Sequence, residues 1–287
     1  MNVSVVGAGR AGTAVAVLLS RAGHKIVAVS GRGPTRDRAA RYLPGTAFTE
    51  PDDAARAGDL VILSVPDDRI AEMVERLAHE DAFRSGQWVA HLSGAAGLSV
   101  LAPVRAAGAR PLAIHPLQTF PDVAGAIDRI PGSVVAVTAE DPEGYLIGER
   151  IAEDLLARSF RLADADRGLY HAAAVFASNY LVGVSAIAQE LFALAGIPDP
   201  VRAMIPLQRA TLDNVERLGP EHALTGPAVR GDASTVDRNL TALHASAPHV
   251  VAAYVEMCRV ALELGERAGR LTTVGRARVE EVLARWS

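Results

Sequence analysis

"VSVVGAGRAGTAVAVLLSRAG", residues 3–23, runs from a β-branched stretch through three glycines into an alanine-rich helical pattern. Gly7, Gly9 and Gly12 stand in the spacing G-x-G-x-x-G. Glycine is common, so the spacing alone says little, and its surroundings decide the reading. An apolar strand precedes the glycines, a helix follows them, and a second strand-like run, 26–30, comes about 20 residues on. That is the opening of a dinucleotide-binding β-α-β unit. Gly7 is expected to make the tight turn, Gly9 to let backbone amides approach a pyrophosphate, and Gly12 to let the helix pack closely on the sheet. The loop Gly7, Ala8, Gly9, Arg10, Ala11 and Gly12 would then place a helix N-terminus, with its partial positive charge, against the phosphates.

The end of the second strand selects the dinucleotide. An acidic residue there accepts from the 2′-hydroxyl of NAD. This chain instead has Ser30, Gly31 and Arg32, with Arg36 shortly after, and no carboxylate. An arginine suits a 2′-phosphate, so NADP is expected. The other reading is that Arg32 and Arg36 are solvated surface charges.

Further along, near-continuous apolar runs at 60–65, 88–92, 111–115 and 133–138 alternate with helical patterns such as 54–57 and 69–79. Runs of this kind suit strands buried on both faces of a parallel sheet. The expected architecture is a doubly wound α/β domain over residues 1–162, followed by an all-α domain over 163–287. In the second half, helices are expected at 169–195, 200–218, 235–245, 248–268 and 273–286, with Ser246 capping the helix that opens at Pro248.

By the rule that ligands bind beyond the carboxyl ends of parallel strands, Val65 and Pro66, Ser93 and His115 all fall on the ligand side. Ser93 also fits simple turn chemistry, and His115 before Pro116 also fits a strand terminator. On the first long helix of the second half, "LYHAAAVFASNYLVG", His171, Ser178 and Asn179 stand at i, i+7 and i+8 on one face. Three polar residues aligned on an apolar helix point to a site, because burying them unpaired is costly, although a structural polar cluster gives the same pattern.

Composition limits the alternatives. With 49% hydrophobic and 22% charged residues and a net charge of −4, the chain is globular and lacks the basic footprint of a nucleic-acid binder. Its one cysteine, Cys258, excludes an internal disulfide and a cysteine-based zinc site, and no metal site is expected. The first residues enter a strand directly, without a basic leader, and no uninterrupted apolar run reaches spanning length. A cytoplasmic protein with no membrane contact is expected. Lys25 is the only lysine and sits at the start of a strand, away from the ligand side, which argues against lysine chemistry.

The glycine loop, "LSG" (92–94), "HPLQTF" (115–120), "YHAAAVFASNY" (170–180) and "LTGPAVRGD" (224–232) together resemble a bacterial family of oxidoreductases. In that family a Rossmann-like domain precedes a helical domain of unknown function. The helical domain is similar to the C-terminal domains of 6-phosphogluconate dehydrogenase, ketopantoate reductase and pyrroline-5-carboxylate reductase relatives. The resemblance covers essentially the whole chain. It implies a reduced-nicotinamide oxidoreductase with its substrate between the domains and a dimer formed through the helical half. The related hydroxyacid dehydrogenases carry a lysine and an asparagine on the first long helix of this domain. Here Asn179 matches, no lysine is present, and His171 on the same face takes its place as proton donor.

The mechanism expected from these residues is hydride transfer from NADPH to a small 2-oxo acid, with ketopantoate as first candidate. His171 would donate the proton, Ser178 and Asn179 would bond substrate oxygens, and Arg230 would pair with the carboxylate of a small anionic substrate. His115 or Ser93 would complete the pocket. The rival readings are an imine or pyrroline reductase and a non-catalytic NADP sensor. The Arg230-Gly231-Asp232 triplet has no secreted context to support adhesion. Gly226-Pro227 would break the preceding helix, with Asp232 or Ser234 capping the next.

Overall fold

A computed structural model describes residues 1–287, which divide into two compact units, Met1–Asn179 and Tyr180–Ser287. The first contains eight strands: β1 (Asn2–Val6), β2 (Lys25–Ser30), β3 (Ala47–Phe48), β4 (Leu60–Leu63), β5 (Trp88–His91), β6 (Arg110–Pro116), β7 (Val134–Ala139) and β8 (Arg158–Arg161). They form one sheet in the order β3-β2-β1-β4-β5-β6-β7-β8. Every pairing is parallel except β6 with β7. The chain order therefore reverses between β1 and β4, the switch point at which a doubly wound sheet opens a crevice.

Side chains on successive strand residues leave opposite faces, and both faces are covered. Val3, Val5, Ile62, Leu112 and Ile114 pack with the helices Arg10–Arg21, Val123–Arg129 and Pro142–Asp154. Val6, Val61, Leu63, Val89 and Ala113 pack on the other side with Pro51–Ala57, Ile70–His79 and Ala102–Ala106. This two-sided burial explains why the strands read as unbroken apolar runs. The six expected strands are present with ends shifted by one or two residues. Two short strands were not expected: β3 is a two-residue pairing, and β8, "RSFR", is a charged edge of the kind that discourages further pairing.

The second unit is all helical, with helices Tyr180–Leu194, Pro200–Leu218, Pro220–Ala223, Ala233–Ser246, Val251–Arg267 and Thr273–Ala284. Its core gathers Val236, Leu240, Val255, Leu262, Val279 and Leu283. Asp232, not Ser234, caps the helix Ala233–Ser246, its Oδ1 accepting from the Thr235 amide at 3.1 Å. The expected Ser246 cap is corrected: Ser246 is the last residue of that helix, and Ala247 precedes the turn Pro248–Val250 without a side-chain cap.

The expected break at 162/163 coincides with the end of the strands at Arg161, whereas the compact first unit runs on to Asn179. The expected helix 169–195 is also interrupted. It begins as the helix Arg167–Ala174, passes through a wide π-turn at Val175–Asn179, and continues as Tyr180–Leu194. The helical stretch Asp164–Leu194 is long and apolar enough to cross a membrane by length and composition alone, although polar residues such as His171, Asn179 and Glu190 interrupt its apolar run.

Candidate active site

The glycine loop joins β1 to the helix Arg10–Arg21. Gly7 has φ +84°, and a β-carbon there would lie 2.7 Å from Val65 Cγ1 and 2.8 Å from the Ser64 carbonyl oxygen, so only glycine turns here. A β-carbon at Gly12 would meet Ser64 Cβ at 2.7 Å, which is the close helix–sheet approach. At Gly9 the nearest atom would be 3.8 Å away, so that side of the loop is open.

The amides of Gly7 and Ala8 both donate to the Ser30 carbonyl, at 3.1 and 2.8 Å, and the Gly9 amide donates to Gly7. The first-turn amides of Arg10, Ala11 and Gly12 remain for a ligand, because no side chain caps this helix and no acid stands in its first turn. Arg10 is exposed, its Nη1 donating to the Pro121 carbonyl at 2.8 Å. At the end of β2, Ser30 is buried with its hydroxyl unpartnered, and Gly31 sits against Thr35. Arg32 is exposed, and Arg36 lies 4.3 Å over the Phe48 ring. Arg38, which the sequence did not single out, reaches back to the Ala8 carbonyl at 3.2 Å.

Beyond the carboxyl ends of β4, β5 and β6 lies a cavity of ≈ 760 Å³ within the first unit. Ala11, Val65, Ser93, His115, His171, Ser178 and Asn179 all line it, so most of the expected site residues converge. Pro66 is exposed at the start of the turn Asp67–Arg69. The π-turn changes how the helix contributes. A uniform helix would bring only one stripe to the cavity, whereas Val175, Ala177, Ser178 and Asn179 all reach it.

Gly94 is the floor between two imidazoles. A β-carbon on it would lie 2.8 Å from His171 Cδ2 and 3.0 Å from both Cε1 and Nε2 of His115. His115 Nδ1 is 2.7 Å from the Tyr170 hydroxyl. Burial, helped by the charges of Arg167 and His171, lowers the His115 pKa to about 4.

Ser93 lines the cavity, and its hydroxyl takes the turn role that was the alternative expectation for it. Its Oγ donates to Asp67 Oδ2 at 2.5 Å and accepts from the amides of Ala95 and Ala96 at 3.2 and 2.9 Å. All three bonding directions of the hydroxyl are therefore used in holding the loop. Next to it, buried His91 accepts from the Ser93 amide at Nδ1 and meets the Gly97 carbonyl at Nε2, which fixes its tautomer as Nε2–H. Burial lowers its pKa to about 4, so it stays neutral.

Beneath the loop lies Arg167, 1% exposed. Its guanidinium donates to the Ser93 carbonyl and, at 2.9 Å, to Thr138 Oγ1, while Nε has no partner. Arg167 thereby ties the helix that carries Tyr170 and His171 to the ends of β5 and β7. The sequence reading missed Asp67, Tyr170, His91 and Arg167, whereas it placed Gly94 beside Ser93 at the strand end on the ligand side. "VPDD" at a strand end and "YH" beside a singled-out histidine were the available signals for Asp67 and Tyr170.

Arg230 belongs to the second unit. It is exposed on the short turn Ala228–Arg230 and donates to the Thr225 carbonyl, which gives Thr225 a structural part.

Residues 1–116 match the model of a Rossmann-like domain, and residues 133–261 match that of a domain of unknown function (DUF2520). No curated protein matches the chain. Among solved structures, a Bacteroides fragilis protein provisionally named an NADP oxidoreductase is 26% identical, with a TM-score of 0.76, covering 91% of this chain and 98% of its own. Protein TM1727 from Thermotoga maritima is 23% identical, with a TM-score of 0.72, covering 94% and 100%. An imine reductase from a Pseudomonas species shares the fold at 20% identity and a TM-score of 0.63, covering 92% and 94%. The second family match begins at residue 133, beside β7, where the sheet reverses direction. The chain thus carries a match to a Rossmann-like domain followed by a match to a DUF2520 domain.

Proposed function

We propose that this chain is a nicotinamide-dependent reductase that delivers hydride to a small substrate in the cavity above Gly94. The observation that carries this reading is the convergence, within one unit, of an uncapped glycine-loop helix and a cavity holding two imidazoles, a tyrosine and a carboxylate. The open side at Gly9 and the first-turn amides fit a pyrophosphate. The oxidoreductase named from Bacteroides fragilis and the imine reductase fold support the same chemistry. NADP is favoured over NAD, because β2 ends in Ser30-Gly31-Arg32 without a carboxylate and Arg38 lies beside the loop.

The bound nicotinamide supplies the hydride. His171 delivers the proton to the substrate heteroatom, His115 donates a hydrogen bond to a further substrate acceptor over Gly94, and Ser178 and Asn179 orient the remainder. Asp67 is the only charged side chain lining the cavity, with no lysine or arginine in its wall. An anionic wall suits an iminium carbon better than a 2-oxo acid, so reduction of a small C=N bond is the first reading. The second is reduction of a 2-oxo acid such as ketopantoate, and it needs a cation for the carboxylate. Arg230 is its candidate, since it is exposed and makes only one bond within the protein.

The test is NADPH oxidation with cyclic imines and with 2-oxo acids, comparing wild type, His171→Ala and Arg230→Ala. Turnover of imines that survives Arg230→Ala supports the first reading, and turnover of 2-oxo acids that Arg230→Ala abolishes supports the second. Binding of NADPH without oxidation by either panel would leave the sensor reading in place.

The partner proposed for the second unit is another copy of the chain. The helix Tyr180–Leu194 has no buried residue, and Leu181, Val182 and Val184 are exposed on it, as are Leu207 and Leu212 on Pro200–Leu218. Apolar surface of this extent marks an interaction face.

A further inference from the structure

His115 makes a single hydrogen bond within the protein, from Nδ1 to the Tyr170 hydroxyl. The two rings meet edge-on with centroids 5.5 Å apart, and Phe160 packs on Tyr170 from another side at 5.8 Å. The tyrosine is therefore held on both sides, and its hydroxyl has no other partner in the protein. The second ring nitrogen of His115, Nε2, faces the space over Gly94, which His171 also approaches.

The direction of the Tyr170–His115 bond follows from the partners each atom has. If Nδ1–H donated to the tyrosine oxygen, the hydroxyl proton would be left without an acceptor in the protein. If the hydroxyl donates to Nδ1, the tyrosine proton and Nδ1 are both paired, and only the Nε2–H, which faces the cavity, is left for a ligand. Neither group ionises near neutrality. Burial pushes the Tyr170 hydroxyl up to about 12, and His115 is held at about 4 by burial, by Arg167 and by His171, against the opposing charge of Asp67. A neutral imidazole that accepts at Nδ1 carries its proton on Nε2.

We propose that Tyr170 is a positioning residue that locks His115 as its Nε2–H tautomer, so that His115 presents a fixed hydrogen-bond donor to the substrate over Gly94. The two histidines then divide the work: His115 donates a hydrogen bond without releasing its proton, and His171 transfers one. The role toward substrate rests on the reductase reading, whereas the tautomer is a property of the protein by itself.

The tautomer is read by long-range ¹H–¹⁵N NMR, with the His115 ring assigned from the signals lost in His115→Gln. The expected spectrum has a bare, accepting Nδ1 and a protonated Nε2, unchanged between about pH 5.5 and 8.5. Tyr170→Phe should turn that single form into a mixture. A protonated Nδ1 in wild type, or an unaltered spectrum in Tyr170→Phe, overturns the proposal whatever the substrate is.

Kinetics supply the second arm. Tyr170→Phe should lower kcat about tenfold, with KM changed less. In a His115→Gln background the side-chain amide brings an N–H that needs no tautomer, so adding Tyr170→Phe should have no further effect. Losses that multiply in the double variant would show that Tyr170 acts only through packing, and would overturn the proposal. Absence of turnover with every substrate defeats the reductase reading instead, and the NMR result still decides the tautomer.

Discussion

At Gly94 the protein presents only a hydrogen to two imidazoles that would each lie within 3.0 Å of a β-carbon. Heavy atoms do not tolerate that distance, so Gly94→Ala must displace His115, His171 or both. The rings are the movable parties, and the strand end beneath is buried, so stability should change little. Activity should fall by about 10- to 100-fold, since misplacement of reacting groups by about 1 Å has that effect. Steady-state kinetics beside a thermal melt checks this, and an alanine variant with full activity would remove the two-imidazole site. Ser93, His115 and His171 were legible because polar residues at strand ends and on an apolar helix stand out in sequence. Arg167 was not. In "ADADRGLYH" it reads as a solvated helix-start charge, and only the tertiary approach of Ser93 and Thr138 shows that it is buried.

The helix Arg167–Ala174 is fastened at its first residue. Replacing Arg167 with Met keeps most of the volume but leaves the Ser93 carbonyl and Thr138 Oγ1 without their donor. Lost bonds at buried sites of this kind cost about 1–3 kcal/mol each, so Arg167→Met should lower the urea midpoint clearly. It should also loosen the segment that carries Tyr170 and His171. An unchanged midpoint would mean that the buried cation, with its partnerless Nε, is as unfavourable as the bonds it makes are favourable. At this scale the sheet was readable because both-face burial leaves long apolar runs. The π-turn at Val175–Asn179 was hidden, because one extra residue in a helical turn leaves no mark in composition. β3 and β8 were hidden for a related reason: a two-residue pairing and a charged edge carry no alternation to detect.

The second unit leaves Leu181, Val182, Val184, Leu207 and Leu212 exposed, and the proposed second copy gives that surface a partner. Light scattering should give twice the chain mass for wild type, and Leu181→Glu with Val184→Glu should halve it while helical circular dichroism is retained. A wild-type monomer under the same conditions would discard the proposal. The helical composition of this half was evident in the sequence. Its limits were less so, because residues 163–179 group with the sheet-bearing unit while periodicity there already follows the helices.

The reversal at β6 and β7 has a consequence for how such proteins diverge. Residues 112–116 pair antiparallel with 135–139, so a strand matched to the Rossmann-like domain is hydrogen-bonded to one matched to the DUF2520 domain. The two sequence families are therefore not two separable modules. A recombination event at their boundary would tear a sheet open and leave one half with a bare, adhesive edge. Inheritance of the pair as a block is what the hydrogen bonding favours, and a chimera that exchanges helical domains between relatives has to cross over after β8 rather than before β7.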